Sequence, residues 1–213
     1  MLSGARSLGI ATTATLLDAG GLTVIAATAM EARAARRHLP ALRVVESGVG
    51  LVKLRRASIG EAAVSIGLAG SLQPTVRTGT VLVPHEVLRP NGETLLCDPA
   101  LVTALERGAR ALGLEPDPRP MVTSATLVTG AERAAWAARG YVAVDMETGL
   151  IRAPRVAAVR VVLDSPQREL SRAWLRPGAA ALSVRAWKEL PWLVREAPRC
   201  ARLAAAVLAE ALR

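Results

Sequence analysis

The chain has 213 residues, 51% hydrophobic and 21% charged, a balance that excludes a disordered or fibrous protein. No uninterrupted apolar run reaches the roughly 18 residues that cross a bilayer, and no Pro/Gly/Ser-rich linker divides the chain. The 27 basic and 18 acidic residues leave +9, yet there is no Phe and one Tyr, whereas a single-strand binder interleaves aromatic platforms with its cations. Nucleic acid is therefore set aside as a partner.

In chain order, residues 1–20 are expected to be an N-terminal extension and 21–213 a single domain. Short apolar runs alternate with helical stretches, the pattern of a sheet covered by helices. Strands are expected over 22–27, 42–46, 63–67, 80–84, 121–123, 142–145 and 156–163. Helices are expected over 30–38, 98–112 and 131–139, with a helical tail from 179 interrupted near Pro191 and Pro198. The third strand is expected to open into a loop, Leu68-Ala69-Gly70-Ser71-Leu72. No internal repeat is present.

Open α/β sheets bind ligands at the carboxyl ends of strands, which is where this chain keeps its glycines and acids. Gly48-Val49-Gly50 and Gly67-Leu68-Ala69-Gly70 each follow a strand. Glycine there lets backbone N–H groups approach a ligand, although such turns are also common as plain structure. In Val144-Asp145-Met146-Glu147, two carboxylates follow an apolar strand and face burial, which requires donors or a ligand. One carboxylate accepts two hydroxyl protons at once, so Glu147 suits a sugar diol. The other reading is a helix start capped by Asp145. Asp164 closes the most apolar strand, where desolvation raises a carboxyl pKa and suits it to donate a proton. The competing readings of Asp164 are an ion pair with Arg160 and a cap above Ser165-Pro166.

Taken together and in order, Ala29-Met30-Glu31, Ser47-Gly48-Val49-Gly50, Gly67 to Leu72 with Gly79 to Pro84, Val144 to Glu147 and Arg160 to Asp164 resemble the signature blocks of the nucleoside phosphorylase and nucleosidase superfamily. The resemblance is closest to its hopanoid-associated branch. It implies a three-layer α/β/α sandwich with a mixed central sheet and cleavage of an N-ribosidic bond that releases adenine from a hydrophobic 5′-substituted adenosine. It also implies roles. Asp164 matches the acid at N7 of the purine, Glu147 the carboxylate on the ribose hydroxyls, and Met146 the residue under the sugar. Glu31 matches the carboxylate that orients water, with Arg33 the alternative in a shifted register. Gly48, Gly50, Leu68, Ala69 and Gly70 would line sugar and base.

Three departures stand out. Only 17 residues separate Glu147 from Asp164, Leu163 replaces a hydroxyl residue, and no Phe is present to stack on adenine, a role that neither Trp136 nor Tyr141 can be given from sequence. A methylthioadenosine/S-adenosylhomocysteine nucleosidase and a nucleoside-binding module without turnover are the alternatives. Hydrolysis is expected over phosphorolysis, because no arginine lies in 22–28 or 63–70, although Lys53, Arg55 and Arg56 follow the first glycine loop.

His38, His85, Cys97 and Cys200 have no metal-ligand or disulfide spacing, so no metal or cofactor is implied and a reducing cytoplasm is expected. His38 complements a helix dipole. Trp174, Trp187 and Trp192 lie among arginines, a composition that fits either helices packed on the core or peripheral contact with an anionic inner membrane surface. The expected partners are a nucleoside, lipid-linked or free, and a second copy of the chain in a homo-oligomer.

Overall fold

The computed structural model describes residues 21–54, 59–175 and 177–213. The expected extension at 1–20 lies outside the described residues, as do Arg55 and Arg56. The elements run β1 (Leu22–Ala26), α1 (Ala29–His38), β2 (Arg43–Glu46), a 3-10 turn (Val49–Leu51), β3 (Ala62–Ser71), β4 (Val81–Leu82), β5 (Glu86–Leu88), β6 (Thr94–Leu96) and α2 (Pro99–Ala111). They continue with β7 (Met121–Thr123), α3 (Ala131–Ala138), β8 (Ala143–Asp145), a 3-10 turn (Thr148–Leu150), β9 (Arg155–Asp164), a 3-10 turn (Arg172–Leu175), α4 (Pro177–Ala181) and α5 (Val184–Ala211).

All the described strands join one mixed sheet in the order β2-β1-β3-β8-β7-β5-β6, with β9 beside β3 and β4 beside β9. The period of two in each strand sorts its side chains between two faces. Val24 and Ala26 of β1, Met121 of β7 and Ala143 of β8 enter the main core, over which α5 packs with α1 and α2. Ile25, Val122 and Val144, one residue out of phase, point to the opposite face, where α3 and the short 3-10 turns cover them. The result is a three-layer α/β/α sandwich around a mixed central sheet.

Local chemistry starts the helices where they begin. Thr28 caps α1, its hydroxyl accepting from the Glu31 N–H while Glu31 accepts from the Thr28 N–H, a reciprocal capping box. Asp98 caps α2 through the Leu101 N–H at 3.0 Å and also pairs with Arg155 of β9 at 2.8 Å, tying the helix to the sheet.

Most expected elements are found within two residues of their places, with four corrections. β3 does not stop at Gly67. It continues to Ser71 because it has a partner on each side of its far end, β9 running parallel and β8 antiparallel, so Leu68, Ala69 and Gly70 are strand and not loop. The hairpin of β5 and β6 was not expected. It turns at Asn91-Gly92, where Gly92 takes φ +85° and the Asn91 side chain accepts from the Glu93 N–H at 3.2 Å.

The third correction is that α5 runs unbroken through Pro191 and Pro198. Proline deprives the carbonyl four residues earlier of its donor. Those residues are Trp187 and Val194, both on the exposed side of the helix, while Ala201, Ala204, Ala205 and Leu208 hold the inner face. The fourth concerns the tryptophans. Trp192 packs on the main core beneath the Arg168 guanidinium, 4.5 Å from its ring, and Trp174 donates its indole N–H to Glu189, leaving Trp187 as the exposed member of the three.

At Gly108 the backbones of α2 and α5 approach closely, since a Cβ there would strike the Val207 carbonyl and the Ala211 backbone. Gly108→Ala should therefore lower the unfolding free energy by roughly 1–3 kcal/mol, the usual range for overpacking. Urea denaturation reads this as a lower midpoint at unchanged slope, opposite in sign to the gain that Gly→Ala brings to an open helix.

Candidate active site

The forked end of β3 places the acids. β9 runs beside β3 until a bulge between Ala69 and Gly70, after which Gly70 faces Asp164. On the other edge β8 runs back along β3, pairing Val144 with Gly70 and Ala143 with Ser71, so the chain delivers Asp145, Met146 and Glu147 alongside Leu68 and Ala69. The start of α1 brings Glu31 to the same place, its Oε1 accepting from the Leu68 N–H at 2.9 Å.

These residues surround one cleft of about 210 Å³, lined by Glu31, Glu147 and Asp164 together with Val49, Leu68, Ala69, Gly70, Leu127, Val128, Met146, Leu163 and Leu170. Of the expected site residues, Gly48 and Gly50 are set back from the lining, and Val49 between them forms the wall. Gly50 acts through its N–H, which donates to Glu147 Oε1 at 3.2 Å. Arg33, the alternative to Glu31, is exposed and faces a separate cavity with Arg37 and Arg202.

Two buried guanidiniums organise the acids, and neither was singled out from sequence for the part it plays. Arg160 is 1% exposed and pairs with Asp145 at 2.7 Å and Glu147 at 3.4 Å, while also donating to Ser65 Oγ at 2.6 Å. Arg133 is equally buried and pairs with Asp164. The expected alternative of an Asp164–Arg160 ion pair is thus corrected. Arg160 sits four residues earlier on β9 and is already engaged by the acids of β8, while α3 supplies the cation at Asp164. Arg133 carried no signal beyond being a charge in a helix, and only the chain's fold shows that it is buried.

The glycines of β3 make this possible. A Cβ at Gly67 would collide with the Glu31 carboxylate and come within 2.9 Å of the Arg160 guanidinium, and one at Gly70 would lie 2.8 Å from Asp164 Oδ1. They were expected to let backbone approach a ligand. They instead leave space above the sheet for charged side chains.

Asp145 is fully engaged, accepting from Thr123 Oγ1 at 2.6 Å, from the Thr148 N–H at 3.0 Å and from the Thr148 hydroxyl, besides pairing with Arg160. It anchors Glu147, and the capped-turn reading of Asp145 holds locally. Glu147 keeps unfilled acceptor capacity. Burial pushes its carboxyl up to about 7, Arg160 opposes that shift, and the neighbouring Asp145 and Glu31 add to it. Burial likewise raises Asp164 above the ordinary carboxyl range, with Arg133 pulling the other way.

No aromatic side chain is among the described lining residues. Trp136 and Tyr141 stack edge to face at 5.6 Å on the outer layer instead. His85 pairs with Glu106 at the surface, at 2.9 Å.

No family model matches the sequence, and no curated protein is similar to it. Solved structures are. The S-adenosylhomocysteine nucleosidase of Streptococcus pyogenes, in complex with 5-methylthiotubericidin, superimposes with a TM-score of 0.70 at 16% identity, over 90% of this chain and 95% of that one. A mutant methylthioadenosine/S-adenosylhomocysteine nucleosidase of Helicobacter pylori with 5′-methylthioadenosine in its active site gives 0.69 at 12%, covering 88% and 96%. A mutant futalosine hydrolase of the same organism gives 0.67 at 12%, covering 89% and 97%. This chain has the nucleosidase fold. The expected three-layer architecture therefore holds across nearly the whole length of these proteins, while identities this low carry the fold and not the substrate.

The raised Glu147 pKa has a stability consequence. A carboxyl whose folded value lies near 7 and whose unfolded value lies near 4.5 contributes fully below the lower value and loses that contribution as pH rises through the upper one. Glu147→Gln, which cannot ionise, should gain about 2–3 kcal/mol relative to wild type between pH 5 and pH 8. Urea melts of both proteins at the two pH values measure it.

Proposed function

We propose that this protein is an enzyme that hydrolyses the N-ribosidic bond of a 5′-substituted adenosine and releases adenine. The observation that carries this reading is the convergence of Glu147 and Asp164 on one cleft from two strands that share the end of β3. Glu147, with its unfilled lone pairs, accepts the protons of the ribose 2′ and 3′ hydroxyls while Met146 lies under the sugar. Asp164, at the apolar end formed by Val128, Leu163 and Leu170, gives its proton to purine N7 as the C1′–N9 bond breaks, so adenine departs neutral. The sugar passes through a cation-like state that a water molecule attacks at C1′. Glu31 orients that water with the acceptor capacity left beyond Thr28 and Leu68 and takes the proton it loses as the C1′–O bond forms.

Hydrolysis is favoured over phosphorolysis because the arginine that lines the cleft, Arg133, is engaged by Asp164, and Lys53 is turned to Glu46 at 2.9 Å. The preferred substrate carries a hydrophobic 5′ group, in keeping with the resemblance to the adenosylhopane-cleaving branch of hopanoid biosynthesis. Val49 at the cleft wall and the neighbouring Val52 are both exposed, an apolar surface suited to such a group. A methylthioadenosine/S-adenosylhomocysteine nucleosidase is the second reading, favoured by solved structures of the same fold with methylthioadenosine or its analogues bound.

A panel of 5′-substituted adenosines separates these readings by which one releases free adenine fastest. Adenine should appear without phosphate, with ribose as the co-product carrying its 5′ group. A phosphate requirement with a ribose 1-phosphate product would assign phosphorolysis. Asp164→Asn should lower turnover by roughly 100-fold or more, whereas a binding module without turnover would release no adenine from any member of the panel.

A lipid-linked substrate requires access to a membrane surface. No helix among the described residues is long and apolar enough to cross one. Leu182, Val184 and Trp187, at the junction of α4 and α5, are 89%, 71% and 59% exposed beside Arg185 and Lys188, a combination suited to shallow contact with an anionic surface. Sedimentation with anionic vesicles should show binding that falls as salt rises, and Leu182→Ser with Trp187→Ala should weaken it without changing hydrolysis of a soluble analogue. Equal binding to neutral vesicles, or none at low salt, counts against the membrane contact.

A further inference from the structure

Arg133 and Arg160 are the largest fully buried side chains among the described residues, and a guanidinium is costly to desolvate unless its donors find partners. Arg133 reaches across from α3 to the end of β3 and β9. Its Nε donates to the Val128 carbonyl at 3.1 Å, and its two terminal nitrogens donate to the Ser71 carbonyl and to Asp164 Oδ2. Two backbone carbonyls, one at the end of β3 and one on the loop before α3, thus fix the guanidinium plane, and the plane fixes the carboxyl.

We infer that Arg133 is the positioning residue of Asp164: it orients the carboxyl toward the cleft and sets how readily that carboxyl takes up the proton it must give to the base. This rests on the reading of Asp164 as the proton donor. The geometry argues it in three steps. Asp164 Oδ2 is held by Arg133 and, at 3.4 Å, by the Leu170 N–H, which leaves Oδ1 as the oxygen nearer β3, above Gly70. A Cβ at Gly70 would touch Asp164 Oδ1 at 2.8 Å and Arg133 at 3.3 Å, so this position is open only to glycine while the pair stands. Finally, the charged groups facing Asp164 are few. α3 contributes Arg133, the segment after β9 contributes Glu169, which lies 3.4 Å from Arg133 Nε, and β3 contributes none.

Burial and Arg133 therefore act on Asp164 in opposite directions, and burial wins. Without Arg133 the carboxyl would hold its proton to still higher pH and would be free to rotate. With it, the proton is held less tightly and is aimed. A donor to N7 needs both, since an acid that is too weak gives up its proton too late and one that is misdirected cannot reach the nitrogen.

The test uses the full chain with ¹³C-labelled aspartate carboxyls, the Asp164 signal being assigned by its loss in Asp164→Asn. Arg133→Met and Arg133→Gln should each move the Asp164 titration midpoint upward by roughly one pH unit or more, the scale of losing an adjacent cation. Arg133→Lys, which keeps the charge, should bring it back to within about half a unit of wild type. The glutamine variant, which keeps a donor in the site, carries the measurement if the methionine variant fails to fold by circular dichroism. A midpoint unchanged by loss of the charge overturns the inference whatever the activity.

Kinetics then read the second half. With a nucleoside that the wild type cleaves, the high-pH fall of kcat/KM should shift upward with the midpoint in the glutamine variant. In the lysine variant kcat should fall about 10-fold at unchanged pH dependence, because lysine cannot hold both carbonyls and aim the carboxyl. A lysine variant with wild-type kcat would remove the orienting role. If the midpoints move as stated but the wild type releases adenine from no nucleoside, the pairing stands and the nucleosidase reading falls.

Discussion

Arg160 is the interaction on which the rest of the site depends. A guanidinium at 1% exposure in the middle of a strand has to be neutralised where it lies, and the acids that do so arrive from β8. Breaking such a pair by removing one partner is far more costly than never having built it, so the position of β8, the turn at Thr148 and the orientation of Glu147 follow from this one charge. Three carboxylates, from Asp145, Glu147 and Glu31, face Arg160. That excess keeps Glu147 from a full ionic partner and leaves it open to a neutral ligand bearing hydroxyl groups.

The second cation solves a different problem. At the other end of the cleft Asp164 pairs with Arg133, so the two acids proposed for sugar and base lean on different arginines, with β3 between them. Burial raises both carboxyls, and a different arginine opposes the rise at each. This division is consistent with an acid that must exchange its proton at the base and a carboxylate that must keep accepting hydrogen bonds at the diol.

Much of this arrangement was legible in the sequence, for a physical reason. An acid that follows an apolar strand declares both its burial and its place at the ligand-bearing edge of the sheet, which is how Asp164 and Glu147 could be singled out, whereas Glu31, in the first turn of α1, was marked only by the family resemblance. What was not legible depends on contacts between residues far apart in the chain. Arg133 reads as one more surface charge in Ala-Glu-Arg-Ala-Ala, and only the close approach of α3 to β3 buries it. The extension of β3 beyond Gly67 was hidden because glycines that clear space for side chains look the same as glycines that turn a loop. Pro191 and Pro198 pointed to a break in α5 because local chemistry cannot say which side of a helix faces water. The β5–β6 hairpin was the exception, since Asn91-Gly92 between two alternating segments was a signal in plain view.

The fork at the end of β3 also bears on how this architecture can change over generations. Because β8 and β9 are each registered against the same strand, the distance between their acids is set by two ladders of backbone hydrogen bonds and not by the chain that links them. Beyond Glu147 the link, residues 148–154, contains one 3-10 turn and no longer helix. Such a connection can gain or lose whole turns, or graft a new surface onto the molecule, while the acids keep their spacing. Variation of surface can therefore accumulate in the connections, and the arrangement of the acids is inherited with the strand they leave untouched.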